Sequence, residues 1–156
     1  MSYIKELRSL IGHQRIISVA CGAIIEYENK ILLQLRSDTL DYGTPGGIME
    51  LNETIIETLI REIKEETNLQ INPEEVNLFG IYSGEKCLMI YPNKDEVEYV
   101  VFVFYVKIDS IDLIKKDDES LSLEFFTRDN LPKNIKSSDK LWINKWVNRD
   151  FTVIID

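Results

Sequence analysis

Three glutamates, Glu62, Glu65 and Glu66, crowd into the segment from Thr54 to Leu69. At about 100° per residue this segment reads as a helix, with Ile56, Leu59, Ile60 and Ile63 forming one narrow apolar stripe toward the core. The three acids fall beside that stripe rather than opposite it, and Glu66 lies nearest the buried side. Like charges three and four residues apart repel by about 0.2–0.5 kcal/mol each. The C-terminal half of a helix disfavours anions as well. Folding gains nothing from this arrangement. A hard divalent cation reverses its sign, because carboxylate oxygens are the ligands that Mg²⁺ or Mn²⁺ prefers. An acidic triplet on an acidic chain is also what a solvated helix face looks like, so the surrounding residues decide between the two.

Those surroundings run Gly47, five residues, Glu53, seven residues, then Arg61-Glu62-Ile63-Lys64-Glu65-Glu66-Thr67-Asn68-Leu69. The run resembles the signature of the Nudix hydrolases, G-x5-E-x7-R-E-U-x-E-E-x-G-U with U aliphatic, at eight of its nine specified positions. The Pro45-Gly46-Gly47 lead-in and the closing Leu131-Pro132 segment resemble the family too. The resemblance implies hydrolysis of a nucleoside diphosphate linked to another moiety, or of a nucleoside triphosphate, with Mg²⁺ as the usual metal and Mn²⁺ as a substitute. By the same resemblance Glu62, Glu65, Glu66 and the Gly46 carbonyl match metal-binding positions, and Glu53 supports the acids. Arg61, within reach of Glu57 or Glu65, orients them. Gly46 and Gly47 let the backbone come close to the metal and substrate, where a Cβ would intrude.

Two positions depart from the family pattern. Asn68 replaces a glycine just past the helix, where a left-handed backbone is expected and Asn is the next most tolerant residue. Thr44 precedes Pro45 where many relatives carry an aliphatic residue, which points to altered packing or substrate contact.

The general base is drawn in this family either from the signature, matching Glu62 or Glu65, or from a loop outside it. Glu96 ranks first among outside candidates because it stands where a loop enters a strand; Glu98, Glu119 and Glu124 are the others. Arg36, just before the glycine loop, is a candidate phosphate contact beside the Gly47 backbone. Tyr82, Tyr91 and Phe104 could stack on a base, although aromatic residues in strands more often fill a core. His13 reads as structural or exposed. A nucleotide-sensing domain without turnover is an alternative, as is an isoprenoid diphosphate isomerase. The intact acid set argues against the first, and the second requires Cys87 or Cys21 at the metal.

Such residues need a rigid scaffold. Tyr3, Ile4, Leu7, Leu10 and Ile11 have helical spacing, giving a helix over about 2–11 that Gly12 ends. Strands are expected over Ile16–Tyr27, Ile31–Leu35, Val76–Ser83, Val97–Ile108 and Leu121–Thr127, with a short one within Phe151–Ile155. Asp38 to Gly47 is a glycine-rich loop, and Lys115 to Glu119 reads as a solvated one. A second helix is expected over Asp139–Asn148, and Thr54 with Glu57 forms a capping box that starts the signature helix. Long apolar strands separated by helices predict an α/β fold, an α/β/α sandwich around a mixed sheet. The family resemblance implies the same fold.

The length of 156 residues fits a single domain over 1–156. Eighteen basic against twenty-seven acidic residues give a net charge of −9, which makes long nucleic acid or an anionic membrane a poor partner and leaves open a small anionic substrate carried in by metal ions, which the resemblance implies is a nucleotide. Cys21 and Cys87 do not form a close pair, and with one histidine they cannot build a zinc site. Two reduced thiols, no secretory start and no long apolar run predict a soluble cytoplasmic protein. A homodimer through the N-terminal helix or the Trp142/Trp146 face is a further expectation.

Overall fold

The computed structural model describes residues 2–112, 114–118 and 120–156. Among the described residues, three α-helices, α1 (Tyr3–Ile11), α2 (Ile55–Thr67) and α3 (Asp139–Val147), accompany eight strands. The strands are β1 (Ile16–Tyr27), β2 (Lys30–Arg36), β3 (Tyr42–Gly43), β4 (Asn77–Tyr82), β5 (Leu88–Ile90), β6 (Glu96–Lys107), β7 (Ser120–Thr127) and β8 (Ile154–Ile155). They form one mixed sheet in the order β3-β2-β1-β6-β4-β8, with β5 added to β6 and β7 to β2. β1 and β6 run parallel over eleven residue pairs, from Ile16↔Val97 to Glu26↔Lys107, and make the spine of the sheet.

Alternation along the strands divides the core into two layers. Ala20 and Ile24 of β1 and Val97, Val101 and Val103 of β6 face Trp142, Ile143 and Trp146 of α3. Cys21, Ala23 and Ile25 of β1 with Phe104 and Val106 of β6 face Leu59 and Ile63 of α2. The result is the expected sandwich, with a helix on each face. Trp142 and Trp146 are buried against the sheet, so they offer no free face for a second copy. α1 has no fully buried residue, and Leu10 on it is exposed. No helix among the described residues is long and apolar enough to cross a membrane.

β1 pairs with β2 only at Glu26 and Tyr27. The remaining edge of β1 is taken by the glycine loop: Met49 N donates to Val19 O, Cys21 N to Gly47 O and Ala23 N to Pro45 O, at 2.9–3.0 Å. This wedge parts β1 from β2 beyond Glu26. The register of the loop on β1 therefore decides which peptide groups face the helix.

α2 starts where expected. Thr54 and Glu57 form a reciprocal capping box, and Asn68 ends the helix in the left-handed conformation at φ 62°. The buried arc is rotated from the expected stripe, however. Thr58, Leu59, Ile63, Glu66 and Thr67 are buried, whereas Ile56 and Ile60 are only half-buried. Glu66 thus lies inside the buried face rather than beside it. The stretch Lys115–Glu119, read as a solvated loop, is a largely exposed loop over its described residues 115–118, anchored by Lys115 N donating to Thr67 O at 3.0 Å and by Asp117 accepting from Ser120. Glu119, also a candidate base, lies outside the described residues.

Candidate active site

A cavity of about 250 Å³ opens beside α2, with Glu62, Glu66, Gly46, Gly47 and Glu50 on its acidic side. Arg61 braces the helix against the loop. It donates through Nε and Nη2 to Glu53 at 2.6 and 2.9 Å, through Nη1 to Glu62 at 2.7 Å and to Glu65 at 3.3 Å, and through Nη2 to the Ile48 carbonyl at 3.2 Å. It does not reach Glu57, whose carboxylate is committed to Thr54. Glu53 also accepts from Glu50 N and Thr58 Oγ1, so it fixes the loop to the first turn of the helix. The Arg61 guanidinium holds the Glu53 carboxyl at about 2, well below the usual range, and Glu53 in turn raises Arg61.

Glu66 is differently placed. Its Oε2 accepts from Gly46 N at 2.7 Å and its Oε1 from Gln34 Nε2 at 3.3 Å. Burial pushes the Glu66 carboxyl up to about 8 against the pull of the Gly46 amide, and the nearby Glu62 charge adds to the rise. The neighbouring carbonyls of Pro45 and Gly47 are used by β1, while the Gly46 carbonyl accepts no hydrogen bond from a described residue. A Cβ at Gly47 would run into the Glu62 carboxylate, and one at Gly46 (φ 149°) into the Cys21 carbonyl. The glycines are therefore needed for close approach of protein to protein, a reason distinct from the contact with metal or substrate read from sequence.

The Glu62 and Glu66 carboxylates and the Gly46 carbonyl, on residues that line one cavity, form a set of hard oxygens with excess negative charge, which suits a divalent cation. Among the described residues no three acids are already gathered into a cage. Glu65 is the outlying member: its side chain is 59% exposed, it is paired with Arg61, and it does not line the cavity.

Arg36 lines the cavity, and Asp38 grips it bidentately at 3.0 and 2.9 Å. Burial works against its charge, but the Asp38 pair keeps the guanidinium firmly protonated. Across the cavity stand Met89, Tyr91, Tyr99, Trp142 and Lys136. Tyr91 shares a 2.7 Å hydrogen bond with Tyr99, while Tyr82 and Phe104 are buried in the two core layers and cannot stack on a ligand. Thr44 has a structural task. Its Oγ1 accepts from Trp142 Nε1 and donates to Asp139, tying the glycine loop to α3.

Glu96 is not brought into the cavity. It opens β6, and its carbonyl accepts from Arg8 on α1. Glu98 pairs with Arg15, and Glu124 accepts from Tyr42 and Ser122 outside the cavity. His13 is exposed and bonds Asp95. Cys21 and Cys87 are both buried and both line the cavity, and burial pushes the Cys21 thiol up to about 12. Sequence reasoning missed Gln34, whose partners lie 32 and 86 residues away, and Lys136, whose ion pair with Asp139 three residues on does not by itself mark a site.

Comparison with known proteins completes this description. The family model described as "NUDIX domain" matches residues 16–146. An "ADP-ribose pyrophosphatase" of Methanocaldococcus jannaschii is 37% identical over 128 residues, covering 80% of this chain and 70% of that protein. A MutT Nudix hydrolase from Burkholderia pseudomallei superposes with a TM-score of 0.70 at 22% identity, covering 83% of this chain and 97% of the other. A UDP-X diphosphatase structure gives the same TM-score at 22% identity, over 98% of this chain and 73% of the other. These two structural likenesses speak to the fold.

Proposed function

This chain belongs to the Nudix family and is a pyrophosphohydrolase, and from that premise we propose that it uses a divalent cation, Mg²⁺ or in its place Mn²⁺, to hydrolyse the pyrophosphate linkage of a sugar nucleotide of the ADP-ribose kind. The observation that carries the metal reading is Glu66: a buried carboxyl one helical turn from Glu62, both lining the cavity that Gly46 also lines. The substrate reading is supported by the 37% identical relative named for ADP-ribose. Nudix hydrolases generally use divalent metals, and the donor set here accords with one.

Glu62, Glu66 and the Gly46 carbonyl would hold the cation, with Glu65 turning in from the rim. A divalent ion there supplies charge neutralisation at the phosphate oxygens and a lowered pKa for bound water. The chain's own residues do the rest. Arg36, immobilised by Asp38, meets a phosphate oxygen with a fixed guanidinium, and the Gly47 backbone leaves room for that group to come close. Tyr91 and Met89 offer a wall for the nucleoside. The proton of the attacking water goes to one of the two acids that Arg61 holds, Glu62 or Glu65. Arg61 positions Glu62 and Glu53 and does not touch substrate. For ADP-ribose, addition of one water across the P–O–P bridge gives AMP and ribose 5-phosphate.

The test is a panel of ADP-ribose, other nucleoside diphosphate sugars and nucleoside triphosphates, assayed with Mg²⁺ and with Mn²⁺ and read by chromatography of the products. AMP release from ADP-ribose that stops on adding a chelator is the expected result. No turnover of any member, or turnover indifferent to the chelator, contradicts the proposal.

A further inference from the structure

Gln34 is 1% exposed in the middle of β2, flanked by β7 and β3, with its side chain on the α2 side of the sheet. Packing alone gives no reason for an amide there, since Met or Leu would fill the space without a polar group to satisfy. Its Nε2 makes both of its hydrogen bonds, to Ser120 Oγ at 2.7 Å and to Glu66 Oε1 at 3.3 Å, and its Oε1 has no partner among the described residues. An amide that leaves its carbonyl orphaned must be held in that sense by something.

Ser120 supplies the reason. A hydroxyl has a single proton, and Ser120 Oγ lies 2.5 Å from Asp117 Oδ1, a carboxylate that can only accept. The Ser120 proton is therefore committed to Asp117, and only lone pairs remain toward Gln34. Gln34 must then turn its NH₂ to Ser120, and the second N–H of that nitrogen reaches Glu66. The backbone N–H of Ser120 also donates to Asp117, at 2.9 Å, which locks the start of the chain. The donors thus diverge from Gln34, one N–H toward Ser120 and on to Asp117, the other toward Glu66 on α2. Glu66 ends with one donor on each oxygen, Gly46 N on Oε2 and Gln34 on Oε1.

We propose that Gln34, oriented by Ser120 and Asp117, is the positioning residue that holds the Glu66 carboxylate in its metal-binding attitude. It touches neither substrate nor ion. Without its N–H, Oε1 loses its donor and the carboxylate turns about the single bond left to Gly46. Partners of this kind behind a metal ligand typically change affinity by about 10–100-fold.

This inference rests on the metal reading above, so its test measures ion binding directly. Mn²⁺ is titrated into the metal-free protein and the free ion is counted by electron paramagnetic resonance, for wild type, Gln34→Met and Ser120→Ala. The expected result is Kd for Mn²⁺ raised at least about tenfold in Gln34→Met and about threefold or more in Ser120→Ala. The Mg²⁺ concentration for half-maximal activity should move by the same factors, while KM for substrate at saturating Mg²⁺ stays put. A purely structural glutamine would lower the thermal midpoint and leave Kd alone. Wild-type affinity in either variant, or a changed midpoint with an unchanged Kd, overturns the proposal. Ser120→Ala, which removes one hydroxyl, decides the matter should Gln34→Met fail to fold. A wild-type protein that binds no Mn²⁺ would bring down the metal reading and this inference with it, an outcome distinct from equal binding by all three.

Discussion

Glu26 and Glu66 are each 5% exposed, on opposite faces of the same sheet. Glu26 has a cationic partner: its Oε2 accepts from Arg128 Nη2 at 3.1 Å and from Trp146 Nε1 at 2.5 Å, with the Arg128 guanidinium itself stacked 4.1 Å over the Trp146 ring. Glu66 has only neutral donors, Gly46 N and Gln34 Nε2, and no ion pair among the described residues. A buried charge costs free energy unless it is paired. At Glu26 the pairing is internal, so the residue joins β1 to the segment after β7 and to α3 and needs nothing more. At Glu66 the pairing is left open toward a cavity. Equal burial with unequal partnership is the difference that the proposed cation at Glu66 accounts for.

The sharpest way to break this comparison is to neutralise each acid in turn. Glu66→Gln is expected to lower turnover at least about a hundredfold, about 2.7 kcal/mol in the barrier, measured as kcat at saturating Mg²⁺. The metal-free fold should gain stability. Because burial raises the folded-state pKa of Glu66 from 4.5 to about 8, its destabilising effect is absent below about 4.5, grows as pH rises, and is complete above about 8. The stability gap between Glu66→Gln and wild type should therefore open between those pH values in denaturant melts with chelator present. A gap that closes as pH rises would refute the assignment.

Glu26→Gln should do the reverse. Loss of the charge beside Arg128 and Trp146 is expected to cost about 2 kcal/mol in urea melts, with turnover per folded molecule within about twofold of wild type. A smaller effect is expected at Glu53, where the Arg61 partner lowers the carboxyl to about 2. That contribution is fully present above the ordinary value near 4.5 and lost as pH falls toward about 2, so Glu53→Gln should flatten the acid limb of a thermal-midpoint profile in that window. At the bottom of the scale stands the exposed Lys86–Asp156 pair at 2.9 Å. Lys86→Ala should move stability by less than about 1 kcal/mol, and a larger loss would mean that burial is the wrong variable.

Local physics made much of this legible from sequence. The strand Ile16–Tyr27, the capping box at Thr54 and the left-handed Asn68 all follow from near neighbours, and each is observed. The signature acids were visible because they share one helix. The short β3 and β5 escaped notice because two or three residues carry no period. The rotation of the buried arc on α2 was hidden too, since burying Thr58 and Glu66 depends on Glu53 and Gly46 arriving from the loop. Gln34 reads as an ordinary polar break in β2, and its partners lie 32 and 86 residues away. Glu26 is hidden in the same manner, 102 residues from Arg128 and 120 from Trp146. Thr44 was marked as a departure, but only the contacts with Asp139 and Trp142 show it to be a joint. The place of Glu96 at a strand entrance points it toward the site, whereas the β1–β6 register leaves it beside α1.

The most direct test of the account is anomalous diffraction from crystals soaked with Mn²⁺ and a non-hydrolysable nucleotide diphosphate. The account predicts a peak bonded to carboxylate oxygens of Glu66 and Glu62 and next to the Gly46 carbonyl, with the nucleotide phosphates at the same ion. Nucleotide bound in the cavity with no manganese beside Glu66, or manganese bound only elsewhere on this acidic chain, would contradict it.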